Sequence, residues 1–127
     1  MNFQTIFISS FILLFLDYIY ITTNINYFSL LYKSIQNSPL KVKYNGAILC
    51  YCLLILAVNY FILEDDKKNL KDSFVLGLCI YGIYELTNYA TFNKWPIYMV
   101  ILDSIWGGIL FSLTVYLTRI FKKYLKM

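Results

Sequence analysis

Asp17, Glu85 and Asp103 stand inside apolar runs, whereas the other four acids, Glu64, Asp65, Asp66 and Asp72, cluster in one polar segment. An acid near the middle of a membrane helix costs about 2.5–3.5 kcal/mol on insertion scales. Three such acids turned to lipid would cost too much, so they are expected to face inward and share a site. Carboxylates so placed can hold a proton, a cation or the amine of a ligand, or can serve as general acid and base. The bland alternative is that they hydrogen-bond to Tyr, Asn and Thr and pin helices together. All eleven Lys and Arg lie outside the apolar runs or at their ends, and histidine is absent. The absence of histidine removes the commonest metal ligand and the commonest proton shuttle. Three unpaired charges cannot persist in a low-dielectric pocket, so a retained proton or a bound cation has to offset them.

The elements that position these acids follow from composition. The 127 residues are 60% hydrophobic and 14% charged, against about 25% charged in soluble domains. A chain this short cannot hide that much apolar surface in a water-soluble core. The reading is therefore one integral membrane domain over residues 1–127. Four stretches approach the roughly 20 residues that cross a bilayer: Phe3–Thr22, Gly46–Leu63, Ser73–Ala90 and Ile97–Ile120. The expected fold is all-α, a four-transmembrane-helix antiparallel bundle. The first stretch reads as a retained helix rather than a cleaved signal peptide. Met1–Thr5 carries no Lys or Arg, Asp17 interrupts the apolar run, and no A-x-A-like site follows.

The connections carry their own signals. Thr23–Asn45 is the longest, and its Tyr27–Ile35 part suits an interfacial helix ended by Pro39. The charged run EDDKKNLKD reads as a solvated turn. Thr91–Pro96 is short enough to make the third and fourth helices antiparallel neighbours. Lys94 and Trp95 there are expected to anchor the membrane interface, in preference to Trp95 lidding the acids. Seven of the Lys and Arg residues (67, 68, 71, 119, 122, 123 and 126) fall on the side of the termini, and four (33, 41, 43 and 94) on the other. The excess marks both termini as cytoplasmic. Cys50, Cys52 and Cys79 have no zinc or redox spacing and read as small hydrophobes.

On this frame the acids meet. Glu85 lies nine residues before Lys94 and Asp103 nine after it. At 1.5 Å per residue both sit roughly 13 Å below the turn. Asp17, about five residues from the end of the first helix, falls in the same non-cytoplasmic layer. Tyr81, Tyr84, Glu85 and Asn88 share a helical face, as do Met99, Asp103, Trp106 and Gly107. Ser10, Asp17, Tyr20 and Asn24 form a polar stripe on the first helix. Gly107 and Gly108 would let another helix approach closely.

The stretch YELTNYAT at 84–91, then Trp95-Pro96, then Asp103 with Trp106-Gly107, resembles the signature of the domain-of-unknown-function family 2177. Its pattern is Y-D-x-T-N-x-A-T, W-P and V-D-x-x-W-G. Leu16-Asp17 matches its first-helix acid. Glu85 stands where Asp is usual, and Tyr20 lies near a position often held by Trp. The resemblance implies a small four-helix membrane protein. It marks Asp17, Glu85, Thr87, Asn88, Trp95, Asp103 and Trp106 as the shared site, and it supplies no activity.

Three functions compete. The first is a site that binds a proton, a small cation or a cationic or lipid ligand. The second, toward which the resemblance leans, is a membrane enzyme or accessory subunit in lipid modification. The third is a structural or assembly protein. Against an enzyme, no nucleophile–base pair or phosphate-binding glycine loop is visible. The expected partners are the bilayer and such a ligand, without nucleic acid. No metal-ligand set or cofactor can be named, and self-association stays open.

Overall fold

The computed structural model describes residues 1–126, in which every regular element is helical. These are α1 (Phe3–Thr23), α2 (Ile25–Gln36), α3 (Tyr44–Val58) continuing through a π-helical turn (Asn59–Leu63), α4 (Leu70–Thr91) and α5 (Ile97–Tyr124).

Local chemistry sets the ends. The Asn2 side chain accepts from the amides of Gln4 (2.8 Å) and Thr5 (3.3 Å) and starts α1. Helix α2 stops at Asn37, whose φ of 56° is left-handed. The stop expected at Pro39 thus comes two residues earlier, because Asn tolerates this conformation at modest cost. Asn69 and Asp72 form a reciprocal capping box at 2.9 Å each way. The box draws Leu70–Asp72 into α4, so the helix begins before the expected Ser73. Helix α5 outruns the expected Ile120 to Tyr124, with Lys122 and Lys123 against its negative end. In the π turn, Glu64 N–H reaches the Asn59 carbonyl five residues back at 3.0 Å. Asn59 is itself buried, donating to Ser9 Oγ and to the Ile55 carbonyl, both at 2.9 Å.

Three helical segments are long and apolar enough to cross a membrane: Phe3–Thr23, Tyr44–Leu63 and Ile97–Tyr124. Helix α4 has the length, at 22 residues. Tyr81, Tyr84, Glu85, Thr87, Asn88 and Tyr89 dilute its hydropathy, so three of the four expected stretches, and not this one, have both the length and the apolarity of a span.

Helices α4 and α5 form the most extensive pair, and α5 also receives α1, which packs on α3. The α4–α5 approach depends on glycine. A Cβ at Gly77 would run into the Gly107 backbone, and one at Gly107 would stand 2.5 Å from the Tyr81 ring. Leu13, Val58, Leu110, Phe111 and Val115 fill one core. A second, at the far end, joins Phe28 and Leu31 of α2 to Trp95, Met99 and Val100.

Polar contacts identify the two ends of the bundle. At one, the Met1 ammonium meets Glu64 at 3.0 Å and Arg119 reaches the Asp65 carbonyl at 3.4 Å. At the other, Lys94 donates to the Ser34 carbonyl and the Tyr32 and Tyr84 hydroxyls pair, both at 3.1 Å.

Candidate functional site

Helices α1 and α5 each carry an acid followed, three residues on, by an aromatic donor: Asp17 with Tyr20, and Asp103 with Trp106. That spacing puts acid and donor one above the other on a helix face. The helices run in opposite directions, so the two pairs meet head to tail and exchange partners. Tyr20 donates to Asp103 at 3.0 Å, and Trp106 Nε1 donates to Asp17 at 3.0 Å. The two rings stack with centroids 4.5 Å apart and planes 3° from parallel. Asp17 takes a second donor, the Tyr51 hydroxyl of α3. Both aspartates are buried.

Glu85 of α4 is 0% exposed. Its Oε1 accepts from Trp95 Nε1 at 2.8 Å, while its Oε2 has no hydrogen-bond partner. Glu85 and Asp103 both belong to the wall of one cavity. Two carboxylates cannot donate to each other, so charge shared in one wall calls for a proton or a cationic donor to offset it. A cavity of about 510 Å³ has Asp17, Glu85 and Asp103 in its wall together with Tyr20, Tyr81 and Tyr84. Residues of α2 and of the following loop, among them Tyr32, Leu40 and Val42, also line it, and no Lys or Arg does.

The sequence-derived residues divide. Asp17, Glu85 and Asp103 come together around the cavity, and Trp95 and Trp106 bond to its acids. Thr87 and Asn88 do not reach it. The exposed Thr87 hydroxyl turns back onto the Ile83 carbonyl at 2.6 Å, and Asn88 is half-buried with no side-chain bond to an acid. Two residues beyond Glu85 is more than half a turn around the helix, which carries Thr87 off the acid face. On α1, Ser10 bonds the Ile6 carbonyl and Asn24 the Tyr20 carbonyl, so only Asp17 and Tyr20 of the polar stripe serve the cavity.

Trp95 also corrects the sequence reading. An interfacial anchor would lie exposed at headgroup depth, but Trp95 is 3% exposed and spends its N–H on Glu85. Its ring meets Tyr32, Tyr84 and Phe92, which together cover that end of the acid layer. Trp95→Phe keeps the ring and removes the donor, leaving both Glu85 oxygens without a protein donor. It is expected to cost about 1–3 kcal/mol, read by thermal unfolding in detergent. An unchanged midpoint would return Trp95 to the role of anchor.

Sequence reasoning missed Tyr51. The available signal was one of two phenols, Tyr51 and Tyr60, in the Gly46–Leu63 run, and period alone does not say which acid either faces. Among the described residues, no three or more of His, Cys, Asp and Glu group so as to hold a metal ion.

A family model with the description "Predicted membrane protein (DUF2177)" matches residues 2–120. Neither a curated protein nor a solved structure matches the chain.

Proposed function

The chain belongs to the DUF2177 family of predicted membrane proteins, and from that premise we propose that it carries an intramembrane acid site whose Glu85–Asp103 pair binds a proton or a cationic group. The observation that carries the reading is Glu85. It is fully buried, keeps one oxygen without a hydrogen-bond partner, and shares with Asp103 the wall of a cavity that no Lys or Arg lines. A buried acceptor left without a donor costs about 1–3 kcal/mol, more when charged, and a bound ammonium or shared proton removes that cost. The test is mass spectrometry of small molecules bound to the purified protein, with and without Asp103→Asn. A cationic species present in the wild type and absent from the variant supports the site. Identical profiles would count against it.

A second reading has its own observation. Asp17 and Asp103 each tie different helices together, through Trp106, Tyr51 and Tyr20. On this reading the acids are a clasp, and nothing binds between them.

We read the chain as a single membrane domain crossing the bilayer four times, with both termini cytoplasmic. Helix α4 supports this: it starts at the end where Met1 meets Glu64 and finishes where Tyr84 meets Tyr32, alongside α5. The seven-to-four distribution of Lys and Arg supports the orientation. Single cysteines placed beside Lys68 and Lys94, in a background lacking Cys50, Cys52 and Cys79, are expected to label from opposite sides of sealed vesicles. Labelling from the same side would leave α4 outside the set of spans.

A further inference from the structure

We propose that the acid cavity opens sideways into the bilayer between α3 and α4, and that it takes a long-chain amine whose ammonium sits at Glu85 and Asp103 while its hydrocarbon chain lies in that gap. This deepens the reading of the acids as a cation site and rests on it. The observation is a line of hollows. The acid cavity shares Tyr81, Tyr84 and Asp103 with a neighbour of about 290 Å³ whose remaining wall is Cys50, Leu54 and Ile80. Those last three residues are shared in turn with an outer hollow of about 540 Å³, completed by Gly46, Leu49 and Leu53. The three hollows therefore follow one another, by shared walls, from the acid layer to the outer face of α3.

The gap exists because α3 and α4 hardly touch, in contrast to α4 and α5. Around Gly46 there is open space: a Cβ there would meet nothing within 4 Å. The outer walls lie within the apolar segment Tyr44–Leu63, so the groove faces lipid and not water. From Gly46 to Leu54 it extends for about 12 Å along α3. An apolar groove at this depth suits a hydrocarbon chain.

The chemistry at the inner end chooses the head. An ammonium offers three donors and no acceptor. Glu85 Oε2 lacks a donor, and Asp103 stands in the same cavity wall. No Lys or Arg lines any of the three hollows, so a phosphate or carboxylate head would find no counter-charge. A neutral alcohol would supply one donor where two acids compete for it.

The experiment uses the full-length protein in phosphatidylcholine nanodiscs with octadecylamine carrying a diazirine near the end of its chain. Photolabelling of the wild type is expected to concentrate on Leu49, Leu53, Leu54 and Ile80, and the corresponding alcohol is expected to label diffusely. Labels from the amine spread evenly over all lipid-facing positions, or matched by the alcohol, overturn the proposal. Leu54→Trp and Ile80→Trp, made separately, each fill the groove away from the acids. Each is expected to reduce octadecylamine binding by about tenfold or more, and to leave butylamine, which needs only the acids, unchanged. Undiminished octadecylamine binding in folded plugged variants sinks the lateral groove while the acid site stands. A wild type that binds neither amine sinks both. Where a plugged variant does not fold, the wild-type labelling map decides alone.

Discussion

Gly77→Val is expected to force α4 off α5 and to lower stability by about 3 kcal/mol or more, read as a large drop in the thermal midpoint in detergent. Overpacking costs about 1–3 kcal/mol where side chains can give way. Here the obstruction is backbone, because the added carbon meets the Gly107 peptide and then Phe111 Cβ at 2.9 Å. Neither atom can turn aside without moving its helix. The consequence reaches the site, since Glu85 and Asp103 stand in one cavity wall only while α4 and α5 keep their register. Gly82→Ala is the control on the same helix. Its nearest obstacle is Ser104 Oγ at 3.5 Å, an ordinary contact. Loss of the glycine should favour the helix by up to about 1 kcal/mol. If both substitutions behave alike, close α4–α5 packing does not position the acids.

The fold was readable where one physical rule dominated, and less so where two competed. Apolar length located α1, α3 and α5 within a few residues, because nothing opposes a long hydrophobic run. Helix α4 was placed correctly as a helix, but its polar face lowers its hydropathy below that of its neighbours. The same residues, Tyr81, Tyr84 and Glu85, make it both the site helix and the least apolar of the long helices. Depth matching by residue count brought Glu85 and Asp103 to one layer because rise per residue is nearly constant. It said nothing about donors, which depend on rotation about each helix axis. Hence Tyr51 is not legible from depth, and Thr87 enters only through the family motif. Trp95 was misjudged for a related reason. A tryptophan in a short turn usually meets the interface, but α2 folds over this turn and covers it. The packing of α2 is a tertiary fact, and no local pattern in Ile25–Gln36 reveals which surface its Phe28 and Leu31 cover.

Glu85→Gln and Asp103→Asn are each expected to reduce butylamine binding by about thirtyfold or more while shifting stability by less than about 1 kcal/mol. The amides keep a carbonyl for the Trp95 and Tyr20 donors, so the folded state loses little. The ligand loses a charge partner among buried acids, and truncating one member of a buried charge pair costs about 2–5 kcal/mol. Thirtyfold corresponds to about 2 kcal/mol, the low end of that range. The double variant should bind little worse than either single variant, because one ammonium spans both acids and the losses are not independent. Asp17→Asn should behave in the opposite way. Asp17 already receives Trp106 and Tyr51, and an amide can accept both donors only with its single oxygen. Its amino group can donate to the Tyr51 hydroxyl oxygen, so what is lost is the charge on the acceptor, and stability should fall by about 1 kcal/mol with butylamine binding nearly unchanged. Titration of butylamine by saturation-transfer NMR, paired with thermal unfolding, separates the two effects. Should all three substitutions lower stability alike and leave binding untouched, the acids are a clasp between helices, and the cavity beside them is a packing gap.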